Sequence, residues 1–149
     1  MNQVSTVHAS AVLVGEAGVL IRGASGSGKS SLALSLIDAA SPAAWLVADD
    51  RVALAVHHGR LVAAAPPAIA GKIEIRGIGI VEVAHVSPVV VRLLVDLLPP
   101  ANCPRLPEPD QLRGSIEGVV LPRLSLPSHA ADGAARVHAA LRPGGIGAA

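Results

Sequence analysis

The stretch Gly23-Ala24-Ser25-Gly26-Ser27-Gly28-Lys29-Ser30 constrains this chain more than any other, because it fits the pattern G-x-x-x-x-G-K-[ST]. That pattern has physical meaning only between a strand and a helix, and both flanks comply. Residues 19–22 are an apolar run that ends at Arg22, and from Ser30 onward Leu32, Ala33, Leu36 and Ile37 recur at helical spacing. Glycines let the backbone curl until successive N–H groups face one anion, and the helix N-terminus adds the positive end of its dipole. In such a loop the lysine reaches the β and γ phosphates of a nucleoside triphosphate, and the following hydroxyl sits on Mg²⁺. Lys29 and Ser30 occupy those two positions.

The remaining pattern places this loop in a mixed α/β domain. Residues 9–14 and 19–22 flank Gly15-Glu16-Ala17-Gly18, which predicts strand, tight turn and strand. Pro42 closes the first helix, and residues 45–48, wholly apolar, read as a strand buried on both faces with Trp45 in the core. Residues 52–56 and 61–64 form a hairpin around His58-Gly59, leaving His57 and His58 exposed at its turn. Strand pieces follow around Gly77 and Gly79, then a strand over 89–97. Residues 98–110 hold five prolines and almost no periodicity, so they read as a loop, long enough to serve function. A last strand covers 119–126, and Ser128 is placed to cap a final helix through Leu141, which Gly133 weakens. The expected organisation is one domain over residues 1–142 and a disordered tail over 143–149.

Composition excludes several classes. With one Trp and neither Phe nor Tyr, the chain lacks the aromatic platforms on which single-stranded nucleic acid stacks. A net charge of +1 with scattered basic residues gives no footprint for nucleic acid or anionic lipid. Mean hydropathy is +0.54, yet Arg92 and Asp96 interrupt the most apolar stretch, so no membrane span is expected. Cys103 stands alone, without a nearby His, which suits a reducing cytoplasm and argues against a nucleophile. The expected location is cytoplasmic.

Two further segments carry chemistry. The run ending in Asp49-Asp50 resembles the strand that sets a carboxylate beside phosphates, where it can hold Mg²⁺ or accept a proton. Its other reading is an acidic turn between two strands, since Arg51 and a new apolar run follow at once. In Glu74-Ile75-Arg76-Gly77-Ile78-Gly79, Glu74 and Arg76 share one face of a strand beside two glycines. That arrangement reads equally as a functional pair or as an exposed ion pair.

Taken together, GASGSGKSS, LVADDRVAL and IEIRGIGIVEV resemble the catalytic domain of the HPr kinase/phosphorylase family, in family order and near-family spacing. The likeness runs from about residue 8 to residue 127 and is similar to the short alphaproteobacterial form without an N-terminal domain. It implies a P-loop fold related to phosphoenolpyruvate carboxykinases. It also implies ATP-dependent phosphorylation of a serine on an HPr-like phosphocarrier protein, with ATP and Mg²⁺ required, and a homo-oligomer that in the family is a hexamer. Carried over by residue, Lys29 is the P-loop lysine, Ser30 and Glu74 are Mg²⁺ ligands, and Asp50 is the general base. His8 matches an active-site histidine, and Arg105, in Cys103-Pro104-Arg105-Leu106, matches a catalytic arginine on a mobile loop. Without the resemblance, His8 reads as a structural histidine and Arg105 as a solvated charge.

The chain departs from the family after Pro127. A glycine followed by arginine is the family pattern there, in a segment linked to phosphate-dependent reversal, and this sequence reads Ser128-His129-Ala130-Ala131-Asp132. The expectation is therefore a kinase with little or no phosphorylase activity. Two rival readings are a P-loop kinase of a small metabolite, and a nucleotide-sensing module without catalysis. The IEIRGIGI segment argues against the first, and the intact Lys29, Asp50 and Glu74 argue against the second.

Overall fold

The computed structural model describes residues 4–39 and 41–146. Strands β1 (Ser5–Val7), β2 (Ser10–Val14) and β3 (Ala17–Gly23) lead into helix α1 (Lys29–Asp38). Strands β4 (Ala44–Ala48), β5 (Val52–His57) and β6 (Arg60–Ala64) follow, then a separate ribbon of β7 (Lys72–Ile75) and β8 (Gly79–Glu82). Strands β9 (Val89–Leu98), β10 (Arg113–Ile116) and β11 (Val119–Pro127) precede helix α2 (Gly133–Leu141). The main sheet runs β1-β5-β6-β9-β3-β2-β4, and β11 adds to β9 with β10 on its outer edge.

β9 organises the sheet. It pairs parallel with β3 along one side, while its other side pairs antiparallel with β6 at Val89 and Val90 and then parallel with β11 from Leu94 onward. Alternation along β3 sends Val19 and Ile21 to one face and Leu20 to the other. The first face packs under α1 and α2 through Leu32, Leu36, Leu126 and Val137, and the second packs among β5, β6 and β9 through Leu54, Leu61 and Leu94. A register shift opposite Gly18 and Val19 lets Val91 and Leu93, two residues apart, serve opposite faces.

Asp96 lies among the parallel strands, nearly buried, and joins three of them. Arg22 of β3 donates to both its carboxylate oxygens at 2.7 and 2.9 Å, and Arg123 of β11 donates a further short hydrogen bond. Burial alone would raise this carboxyl, but the hydrogen bonds and charges of Arg22 and Arg123 prevail and hold it below its ordinary value.

Several sequence expectations change. Trp45 is 37% exposed rather than core, because β4 is an edge strand and the indole lies at its start. Leu46, Val47 and Ala48 of the same strand are fully buried as expected. Ser128 does not cap α2: the cap position is Asp132, and the Ser128 hydroxyl lies 3.4 Å from the Leu98 carbonyl. Gly133 opens that helix, and a Cβ there would come within 3.1 Å of a Leu32 methyl, so the glycine permits close helix approach. The proline-rich loop contains two 3₁₀ turns, Pro100–Asn102 and Pro109–Leu112, the second closed by Glu108 and Gln111. Of the expected tail, residues 143–146 turn back so that Ile146 packs on the core beneath the helices, and residues 147–149 lie outside the described residues. No helix among the described residues is long and apolar enough to cross a membrane.

The Asp96 arrangement yields a pH-dependent expectation. Asp96→Asn leaves two arginines without their anion and should cost about 2–4 kcal/mol at pH 7, below the ~3–5 of a fully buried pair because both arginines are part exposed. A carboxyl depressed in the folded state stabilises fully above its unfolded value of about 3.9 and loses that contribution as pH falls through the lower folded value. Denaturant unfolding at pH 7 and at about pH 3 should therefore show the wild-type advantage narrowing in acid.

Candidate active site

Four strand ends meet at one edge of the sheet. β2 runs antiparallel to both β3 and β4, and β3, β9 and β11 are parallel, so β3, β4, β9 and β11 all point the same way. Their carboxyl ends deliver Gly23 and the glycine loop, Asp49-Asp50, the proline-rich loop, and the segment after Pro127. In open α/β sheets this edge is where ligands bind.

The loop has the form its sequence demands. Gly26 and Gly28 take φ of 79° and 100°, left-handed values that suit glycine, and Gly28 is the N-cap of α1. At Gly23 a Cβ would stand 2.4 Å from the Ser27 hydroxyl and 3.1–3.2 Å from Leu97, so a larger residue would displace that hydroxyl and press on β9. The Ser27 hydroxyl itself is buried with no hydrogen-bond partner among the described residues. The first N–H groups of α1 have no acceptor within the helix, and they form the positive end of its dipole next to the loop. Lys29 folds back along the loop and donates to the Gly23 and Ala24 carbonyls at 2.9 and 3.0 Å. Burial lowers its pKa, partly offset by the negative charges of Asp49 and Asp50.

The two acids part company. Asp49 is 4% exposed and accepts hydrogen bonds from Ser10 Oγ at 2.6 Å and from Ser30 Oγ at 2.8 and 3.0 Å. The Glu74 backbone N–H adds a longer contact of 3.4 Å. Asp50 is exposed, with φ of 70°, which turns its carboxylate outward to His8 Nε2 at 3.1 Å. His8 sits between β1 and β2, opposite β5, and so comes to the same edge. A cleft of about 310 Å³ is lined by His8, Lys29, Ser30, Asp50, Glu74 and Arg76.

The structure thus brings together His8, Lys29, Ser30, Asp50 and Glu74. Arg105 is not with them: it is exposed on the proline-rich loop and borders a separate pocket with Arg123 and Arg136. Asp49, read only as one of an acid pair, proves to be the carboxylate that holds Ser30. The signal was present, since a residue ending a buried strand inherits that strand's burial and the next one escapes it. Arg76 also lines the cleft, but from the turn that follows β7 rather than from a strand face shared with Glu74. His129 had no signal at all: its Nε2 lies 2.6 Å from the Gly26 carbonyl, which only accepts, so that nitrogen carries the proton. Its backbone N–H donates to Ser27 O at 3.2 Å.

The oxygen donors fit Mg²⁺. This ion accepts one or two carboxylates and keeps the rest of its shell for water and substrate phosphate. Ser30, Asp49 and Glu74 supply such a set, and no cluster of three or more His, Cys, Asp or Glu side chains able to cage a metal occurs among the described residues.

Fold and site therefore define a P-loop domain with a buried acid behind the loop's serine and a histidine-paired acid facing the cleft. The family described as HPr Serine kinase C-terminal domain matches residues 1–90. The chain is 34% identical over 134 residues to HPr kinase/phosphorylase of Lactobacillus acidophilus, which covers 83% of this chain and 40% of that protein. It is 35% identical over 133 residues to HPr kinase/phosphorylase of Limosilactobacillus reuteri, covering 82% of this chain and 40% of that protein. Among solved structures, the HPr(Ser) kinase/phosphatase from Coxiella burnetii superposes with a TM-score of 0.72 at 33% identity, covering 85% of this chain and 81% of that one. This chain belongs to the HPr kinase C-terminal domain family, and it spans about 40% of the length of these two curated relatives.

The division between the acids can be measured. Asp49→Ala strands the Ser10 hydroxyl in the core and should cost about 1–3 kcal/mol. Asp50→Asn, exposed and at a φ that asparagine tolerates, should stay within about 0.5 kcal/mol of wild type. Paired urea titrations check both values.

Proposed function

We propose that this chain is a Mg²⁺-dependent kinase that transfers the γ-phosphoryl group of ATP to a serine of an HPr-like phosphocarrier, acting as a homo-oligomer, the hexamer that the resemblance implies, in the cytoplasm. The observation that carries this reading is the placement of Lys29, Ser30 and Asp50 around one cleft, with Asp50 held by His8 at its mouth. Residues 23–30 bind the β and γ phosphates through backbone N–H groups and the Lys29 ammonium. Bound Mg²⁺ supplies charge neutralisation on the phosphate oxygens, and Ser30, Asp49 and Glu74 are the donors that would hold it. Asp50 orients the acceptor hydroxyl and takes its proton, a contribution of about 10²–10⁴-fold, while His8 fixes the carboxylate. Arg76, already in the cleft, stabilises charge on the transferring phosphoryl. Arg105 belongs to the reading as the cation that the proline-rich loop would bring.

Binding and chemistry separate in this scheme. Lys29→Ala should weaken ATP binding and abolish transfer, whereas Asp50→Asn should keep nucleotide affinity and lower turnover by about 10²-fold or more. Calorimetry with ATP, together with transfer of labelled phosphate to serine of a purified carrier, checks both. An Asp50→Asn variant that loses ATP as badly as Lys29→Ala would remove Asp50 from the base role.

For this chain we expect a kinase with little or no phosphorylase activity. Reversal needs inorganic phosphate held in line with the phosphoserine, hence an additional cation or anion nest. The segment after Pro127 offers only His129, which is committed to Gly26. Arg123 and Arg136, the nearest arginines in sequence, are tied to Asp96 and Asp132. Given serine-phosphorylated carrier and millimolar phosphate without ATP, the protein should release pyrophosphate far more slowly than it runs the forward reaction.

A further inference from the structure

Most carbonyls of the glycine loop already face a donor. Lys29 covers those of Gly23 and Ala24, and the Ser27 N–H also donates to Ala24 at 3.0 Å. Gly28 accepts from the Leu32 N–H in the first turn of α1. The next two, Gly26 and Ser27, are both held by His129, which lies about 100 residues further along the chain. Its Nε2–H donates to the Gly26 carbonyl at 2.6 Å and its backbone N–H to the Ser27 carbonyl at 3.2 Å. Lys29 gives up its carbonyls when an anion arrives, because a charged phosphate is the stronger acceptor. The two hydrogen bonds of His129 carry no such competition and stay in place.

We propose that His129 is a positioning residue for phosphate binding, a strap that holds the Gly26 and Ser27 carbonyls while Lys29 turns to the anion. The proposal rests on the proposed ATP binding and adds what keeps the loop in its anion-binding form. A peptide is planar and trans, so its C=O and N–H point opposite ways. Fixing the Ser27 carbonyl therefore also fixes the N–H of Gly28, the N-cap residue of α1, which borders the cleft. Without the strap this peptide is free to flip, since glycine tolerates either sign of φ, and a flip presents a carbonyl where the N–H stood. The Gly26–Ser27 peptide is pinned at both ends, its carbonyl by His129 and its N–H by Ala24. Carbonyl oxygens repel an anion and N–H groups hold it, so these two peptide orientations govern the quality of the nest.

His129 is itself anchored. The Ser128 N–H donates to Leu98 at the end of β9 at 2.9 Å, and the Ala130 N–H donates to Pro127 at 3.2 Å. Between them His129 takes φ of 60°, a left-handed value that histidine adopts more readily than most residues, and from there both of its donors reach the loop. The segment that departs from the family pattern after Pro127 thus has a task of its own. Because His129 is exposed, water competes for both hydrogen bonds, and the expected effect is a change of several-fold in affinity rather than its abolition.

The test measures binding of tripolyphosphate and of ATP, each with Mg²⁺, to the full chain by calorimetry, in wild type, His129→Ala and His129→Gln. Alanine removes the ring and resists the left-handed backbone, so it loses both hydrogen bonds and should weaken both ligands by about tenfold. Glutamine carries an amide N–H at about the reach of Nε2 and should stay within about threefold of wild type. An alanine variant that stays folded in a urea titration and binds both ligands within about twofold of wild type reduces His129 to a structural role and overturns the proposal. So does a glutamine variant that loses as much as alanine. A loss confined to ATP overturns it as well, because the strap acts on the phosphates and tripolyphosphate carries those alone. Failure of wild type to bind either ligand overturns the ATP reading, and the strap with it. One arm needs no ligand. In the free protein, nitrogen–proton correlation across the imidazole, with the His129 signals identified by their loss in His129→Gln, should place the ring proton on Nε2. A neutral ring with its proton on Nδ1 overturns the strap whatever the affinities.

Discussion

A carboxylate that is 4% exposed survives in a protein interior only if donors surround it, and Asp49 draws its donors from three separate segments. Ser10 comes from β2, Ser30 from the first turn of α1, and the Glu74 backbone from β7. Satisfying this one anion fixes the helix against the sheet and sets the β7–β8 ribbon beside the loop. The cost of leaving it unpaired forces those segments to converge, and their convergence is the cleft. The rest of the site is arranged around that buried acid: the exposed Asp50 one residue later, the exposed Glu74 on the ribbon, and the buried Lys29 one residue before Ser30.

Directionality of strands supplies the second constraint. A lysine loop, an acid pair, the proline-rich loop and the segment after Pro127 can share one edge only if β3, β4, β9 and β11 all end there. The parallel pairing of β9 with both β3 and β11 secures it. Asp96 locks this arrangement one step back from the chemistry, since Arg22 directly precedes Gly23 and Arg123 lies in β11. Near the departure from the family, Arg123 is thus committed to Asp96 and Arg136 pairs with Asp132 on the surface, which leaves Lys29 and Arg76 as the Lys and Arg side chains that line the cleft.

Much of this was legible in the sequence, and the limits have physical causes. Loop, helix and flanking strands could be read because glycine conformation and helical period are local. The strand ending in Asp49-Asp50 was equally clear. Which of the two acids turns inward depends on the left-handed backbone at Asp50, and His8 as its partner depends on pairing of β1 with β5 across more than 40 residues of chain. Trp45 was misplaced because an apolar run does not reveal whether its strand lies at an edge. Ser128 looked like a cap from its position in the sequence, but its backbone N–H instead joins the Leu98 carbonyl and ties the ends of β9 and β11 together. His129 carried no sequence signal, because its partner, Gly26, lies 103 residues earlier.

Lys29 shows how these constraints meet in one side chain. Burial beside the loop lowers its pKa, and the pull of Asp49 and Asp50 works the other way. Its three N–H donors are partly occupied by the Gly23 and Ala24 carbonyls, weak acceptors compared with an anion. A phosphate entering the cleft offers the ammonium a full negative charge in place of two carbonyl dipoles. The resulting gain is largest where water is excluded, so the burial that disfavours a lone charge strengthens the pair once an anion arrives. The loop therefore holds its cation in reserve, close to where the phosphates would sit, and little reorganisation remains to be done when they bind.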